Sequence, residues 1–242
     1  MKSRSILLTF DIENDCGLRS FKGIDIGLPQ ILRVLNKYDV PATFFVTGEL
    51  AERFPKIIQT LSEKYEIGCH GFYHESFRKI NANKISYLKQ AKNLLEEITG
   101  RRILGFRAPF LHVCPELFDA LKSLGFIYDS SLIVLKKLNL QPNSDIKEFW
   151  LMFPNVFFRF PLGYSIFWIG TLLSSISVLY FHPWEAIDVR SLFFPQPHYF
   201  RNLFSRPDRW LNSGSPFLGL LSEFIHSHLD HGFQFKSMRD FL

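Results

Sequence analysis

Short apolar runs alternate with helical stretches through the first half of the chain, and four of the five runs end on a polar or charged side chain. Residues 5–10 run into Asp11, residues 66–69 deliver His70, residues 103–106 end on Arg107, and residues 126–128 end on Asp129. Residues 42–47, rich in β-branched and aromatic side chains, add a strand between the first two. Pro29 opens a helix carrying Ile31, Leu32, Val34 and Leu35. Residues 49–64 read as helix, broken or kinked at Pro55. Residues 83–99 place Ile85, Leu88, Ala91, Leu95 and Ile98 at helical spacing, and Gly100 stops them. Another helix starts at Pro115 and stops at Gly125. Strand–helix alternation predicts an α/β fold with a parallel sheet. Polar groups at the C-terminal ends of successive strands are how a (β/α) barrel assembles its site. An open doubly wound sheet is the alternative, but no G-x-G-x-x-G follows the first strand.

The second half is less regular. Residues 156–160, 177–181 and 233–235 read as strands, residues 217–229 as a helix, and a short helix closes the chain. Residues 191–212, with Pro195, Pro197 and Pro207, predict an extended loop, whereas residues 132–154 give no clear pattern. Residues 164–181 are uncharged, at the lower edge of a membrane-spanning length. Gly170, Thr171, Ser174, Ser175 and Ser177 interrupt that run, which favours a loop or short helix leading into a buried strand.

A chain of 242 residues with 47% apolar content can build one large core, so a single domain over residues 1–242 is expected. The net charge of +5 is spread along the chain without a basic block, which argues against nucleic acid. It leaves open a peripheral contact with anionic membranes or a lipid-linked substrate, and the 27 phenylalanines point to a deep core or a greasy surface. Cys16, Cys69 and Cys114 are too few and too far apart for a disulfide framework. The first apolar run is too short for a signal peptide, so a cytoplasmic protein, soluble or membrane-associated, is expected.

Three places carry candidate chemistry. His70 and His74 lie four apart, and a helical turn would stack both imidazoles on one face within reach of a single ion. Asp11, Glu13 and Asp15 alternate, which on extended backbone puts three carboxylates on one face; they repel unless a cation neutralises them, or else they mark a solvated loop. His182-Pro-Trp-Glu185 follows a strand late in the chain.

Taken in order, Thr9-Phe10-Asp11, His70-x3-His74, Arg107-Ala-Pro-Phe110, Asp129-Ser-Ser131 and Leu179-Tyr-Phe-His182 resemble the motifs of the polysaccharide deacetylase family. The His182-Pro-Trp-Glu185 ending resembles the branch associated with exopolysaccharide synthesis. The resemblance implies a distorted, incomplete (β/α) barrel of about seven parallel strands. It implies a hydrolase of carbon–nitrogen bonds that removes N-acetyl groups from an amino-sugar glycan or its precursor with a divalent metal, Zn2+ first and Co2+ or Ni2+ as alternatives. Asp11 corresponds to the general base, Arg107 to the arginine that orients it, and His70 and His74 to the histidine ligands. His182 corresponds to the general acid and Phe110 to the backbone oxyanion donor. Leu179 corresponds to the apolar wall beside the acetyl methyl, and Asp129 to a support for the groove and His182. Trp184 is a candidate sugar platform or a core residue. Ile12 stands where the family commonly places its metal-binding aspartate, so Glu13 is the expected carboxylate ligand, with Asp15 as the alternative. Hydrolysis of a cyclic C–N substrate, and a non-catalytic glycan- or membrane-binding relative, are the competing readings.

Overall fold

The computed structural model describes residues 4–18, 20–134, 146–193 and 204–242. Its central element is β1 (Ser5–Ile12), buried along its whole length. It pairs in parallel with β2 (Thr43–Val46) on one side and β7 (Ile176–Phe181) on the other. From β2 the sheet runs outward through β3 (Glu66–Cys69), β4 (Gly105–Phe106) and β5 (Tyr128–Asp129) to β6 (Lys147–Glu148), every pairing parallel. β8 (Gln234–Phe235) joins the start of β1. The seven strands from β6 to β7 curl into an incomplete (β/α) barrel, with helices around it. Isolated bridges from Ile133 to Leu151 and from Leu151 to Val178 draw the two edges of the sheet towards each other.

Strand alternation sorts side chains between two cores. Ile6, Leu8, Phe10 and Ile12 of β1 face the large outer cluster shared with the helices. Leu7 faces inward, with Phe45, Tyr128, Val178 and Tyr180. Thr9 and Asp11 share the parity of Leu7 and face the interior at the C-terminal end of the strand.

The helices follow local signals. α1 (Leu28–Lys37) has Pro29 in its first turn. Pro55 ends α2 (Gly48–Arg53) and begins α3 (Pro55–Lys64). α4 (Ala82–Thr99) is capped by Asn81, whose side chain accepts from the Lys84 N–H at 2.9 Å, and it stops at left-handed Gly100. α5 spans Pro115–Ser123.

The structure corrects the second half. Residues 156–160 form no strand: Val156–Arg159 is a helical turn, α6, followed by α7 (Pro161–Leu173). Their aromatic content suits either state, but Pro161 fits a first helical turn. Helical geometry sends Phe158 into a nest of Phe167, Phe181 and Phe224 rings. The uncharged run breaks at Ser174 into α7 and β7. Among the described residues, no helix is long and apolar enough to cross a membrane. The stretch expected as an extended loop contains short helices at Arg190–Phe193 and Pro207–Trp210; residues 194–203 lie outside the described residues, as do 135–145 of the unread segment. α8 (Ser215–Asp230) packs behind α7, and a 3-10 turn at Arg239–Phe241 ends the chain.

Candidate active site

The C-terminal ends of β1, β3, β4 and β7 converge on a cavity of about 320 Å³, lined by Asp11, Glu13, His70, His74, Phe110 and His182 among others. His70 and His74 do not share a helical turn, contrary to expectation. The chain leaves β3 through Gly71 at φ 75° and reaches His74 at φ 57°. The Glu75 carboxylate ties this loop by accepting from the Phe72 and Tyr73 N–H groups. The tight loop, rather than helical stacking, brings the two rings to 5.2 Å.

Glu13 sits just past β1, with Oε2 3.5 Å from His70 Nε2 and in contact with His74 Nε2. One atom from each of these three residues lies within 4.8 Å of the others, a spacing that could hold one ion. The donor chemistry fits. His70 Nδ1–H donates to the Arg107 carbonyl at 2.9 Å, so neutral His70 turns the lone pair of Nε2 towards Glu13. A lone pair facing a carboxylate oxygen is repulsive unless a proton or cation lies between them. Burial works to raise the Glu13 pKa, but the charge of His182 and the His70 and His74 rings set against the carboxylate outweigh it and hold the group well below the usual carboxylate range.

Beside this trio Asp11 forms a buried pair with Arg107, Nη1 to Oδ1 at 2.7 Å. The Arg107 guanidinium is fully buried and fixed on four sides. Nη1 also reaches Thr9 Oγ1 at 2.7 Å, Nε donates to the Ser130 carbonyl at 2.8 Å, and Nη2 donates to Ser130 Oγ at 2.9 Å. Its Cζ lies 4.3 Å from the centre of the Phe45 ring. Such a fork holds one orientation, which a lysine could not reproduce.

His182 closes the opposite wall, its Nε2 3.8 Å from Glu13 Oε1. Nδ1–H donates to Glu185 Oε1 at 3.1 Å, which aims Nε2 into the cavity. Burial opposes protonation of this imidazole, yet the Glu13 and Glu185 carboxylates outweigh it and raise its pKa above the ordinary histidine value.

Other expected residues lie elsewhere. Asp15 is buried in its own loop, accepting from Ser20 Oγ at 2.8 Å and from the Gly23 N–H at 3.0 Å, outside the Glu13 trio. Asp129 accepts from Ser131 Oγ at 2.7 Å and interacts with Glu148; the carboxylate against His182 is Glu185 instead. Leu179 points into the outer core, because strand alternation turns it away from the cavity; Tyr180 lines the wall in its place. Trp184 lies at the cavity edge but stacks on His182 at 4.9 Å and 22°, backing that ring and remaining nearly buried. Phe110 is 59% exposed, and its positive φ of 58° brings the ring to 4.3 Å from His74.

The sequence reading missed Asn155 and Arg159. Asn155 Nδ2 donates to Glu185 Oε1 at 2.7 Å, and Arg159 Nε donates to Glu185 Oε2 at 2.7 Å. The available signal was a lone cation inside the apolar run Phe157-Phe-Arg-Phe160, since a buried cation requires a buried anion.

A profile of the polysaccharide deacetylase family matches residues 1–128. A peptidoglycan deacetylase of Helicobacter pylori is 30% identical over 125 residues, 51% of this chain and 42% of that protein. A peptidoglycan-N-acetylglucosamine deacetylase of Bacillus cereus is 32% identical over 84 residues, 34% of this chain and 30% of that protein. Each match thus spans less than half the length of the curated relative. The crystal structure of a putative polysaccharide deacetylase from Mycobacterium smegmatis superposes with a TM-score of 0.62 at 21% identity, covering 94% of this chain and 92% of that one. The family profile covers more than half of the sequence, the incomplete barrel agrees with it, and the chain belongs to the polysaccharide deacetylase family.

Proposed function

We propose that this chain, as one catalytic domain over residues 1–242, is a metal-dependent hydrolase that removes N-acetyl groups from an amino-sugar glycan or its precursor. The observation that carries the reading is the Glu13–His70–His74 trio set between the Asp11–Arg107 pair and His182 in one cavity. Glu13, His70 and His74 would hold a divalent cation, Zn2+ first, with Co2+ or Ni2+ as alternatives. When bound, that cation supplies Lewis acidity to the amide carbonyl and to water. Asp11, oriented by Arg107, takes the proton of the attacking water. The Phe110 N–H stabilises the charge that develops on the carbonyl oxygen. His182 protonates the nitrogen of the departing amine, without which an amide leaves poorly.

The named relatives support a glycan carrying N-acetyl groups, and the His182-Pro-Trp-Glu185 sequence supports one from exopolysaccharide synthesis. Exposed Leu162, Ile166, Ile169 and Leu173 on one face of α7 support a peripheral membrane contact for a lipid-linked form. The test is acetate release from chitooligosaccharides and peptidoglycan fragments, with a cyclic imide as control substrate. Chelator should abolish release and Zn2+ or Co2+ restore it. Undiminished release from metal-free protein, or turnover of the imide alone, would defeat the reading.

A further inference from the structure

Arg159 is only 1% exposed, yet its guanidinium donates in two directions. One is Glu185, whose Oε2 accepts from Nε at 2.7 Å. The other is the segment that forms one side of the cavity rim. Nη2 donates to the Asp208 carbonyl at 2.6 Å, and Nη1 donates to the carbonyls of Arg209 at 3.1 Å and Leu211 at 2.5 Å. The Arg159 carbonyl accepts in return from Asn212 Nδ2 at 2.6 Å. Arg206, Asp208 and Arg209 of this segment line the cavity, and Arg209 reaches across it to the Cys16 carbonyl.

Glu185 has no spare oxygen for any other task. Its second oxygen, Oε1, accepts from the His182 backbone N–H at 2.9 Å, from His182 Nδ1 at 3.1 Å and from Asn155 at 2.7 Å. A displaced Glu185 would therefore carry the His182 ring with it. The 3-10 turn Pro183–Ala186 folds Glu185 back onto His182, so the ring and its carboxylate move as one piece.

We propose that Arg159 is a positioning residue, clamping the Asp208–Leu211 rim and the Glu185 carboxylate that aims His182 into a single unit. The proposal rests on the hydrolase reading above, with His182 as its acid. One planar cation sets both the shape of the cavity mouth and the direction from which the proton arrives. A lysine carries three donors on one nitrogen and cannot span a carboxylate and three carbonyls in this layout.

The test compares Arg159→Lys with wild type on two metal-loaded reactions. One is acetate release from a chitooligosaccharide, whose amine must be protonated to leave. The other is hydrolysis of 4-nitrophenyl acetate, whose phenolate leaves without help. General acid catalysis is worth about 10²- to 10⁴-fold, and misdirecting the acid should forfeit part of it. For Arg159→Lys we expect kcat on the amide to fall about 10- to 100-fold and the glycan KM to rise as the rim loosens, with turnover of the small ester within about threefold. In a His182→Ala background the same change should add no further loss in kcat, because that effect runs through the ring. Should Arg159→Lys fold poorly, the pair Arg159→Met with Glu185→Gln leaves no lone buried charge, and the same split between amide and ester is expected. Equal losses on both substrates, or a full additional loss in the His182→Ala background, would overturn the clamp. Wild type inactive on the amide would instead strike at the hydrolase reading, and the two failures are thereby distinct.

Discussion

His228 offers a pH test of how α8 is held against α7. Its ring is buried between Phe224 at 4.0 Å and Trp168 at 4.5 Å. In the neutral ring Nδ1–H donates to the Phe224 carbonyl at 2.7 Å, and Nε2 lies 2.8 Å from the Thr171 hydroxyl, which also reaches the Trp168 carbonyl at 2.7 Å. Burial disfavours the charged form, and the pKa falls from 6.5 to about 4. A depressed histidine pKa means that the unfolded chain takes up the proton first as pH drops. The stabilising contribution is therefore whole above 6.5, shrinks as pH falls towards about 4, and is gone below that. At ~1.36 kcal/mol per pKa unit the upper bound is about 3.4 kcal/mol, and screening near the helix end reduces this to about 2 kcal/mol. His228→Gln keeps hydrogen-bonding atoms but does not titrate. Urea unfolding at about pH 7.5 and about pH 4.5 should show wild type losing about 2 kcal/mol more than the variant. Equal losses in both proteins would refute a neutral, buried His228.

Two further outcomes follow from the site and its supports. Asp11→Asn removes the base while preserving shape, so acetate release should fall about 10²- to 10⁴-fold with metal content, measured by mass spectrometry, unchanged. Gly163→Ala would place a Cβ 1.5 Å from the Phe157 carbonyl oxygen, at the junction of α6 and α7. Backbone must move to relieve that overlap, so thermal unfolding should show a loss of about 3 kcal/mol or more.

The first half of the chain was legible because local signals there agree with tertiary structure. Strands buried on both faces read as unbroken apolar runs, and proline or glycine marks the helix ends, as at Pro29, Pro55, Pro115 and Gly100. Asp11, His70 and Arg107 stand at strand ends, where a barrel gathers its polar groups. Residues 156–160 were misread because phenylalanine suits a strand or a packed helix alike, and only the surrounding rings decide between them. Leu179 was misplaced because a motif gives spacing without facing: one position along a strand turns a side chain from cavity to core. His70 and His74 came together for a different reason from the one expected, since positive φ at His74 is invisible in a spacing of four. The Arg159–Glu185 pair, 26 residues apart, left only half a signal in the sequence, a charge inside an apolar run.

The hydrolase reading needs Glu13, His70 and His74 to grip one cation beside the Asp11 carboxylate that Arg107 holds. An anomalous difference map, recorded at the absorption edge of the metal in crystals grown with Zn2+, tests it most directly. A single strong peak is expected at bonding distance from a Glu13 oxygen and the Nε2 atoms of both histidines, with Asp15 uninvolved. A peak bound through Asp15, or none between the two imidazoles, would contradict it.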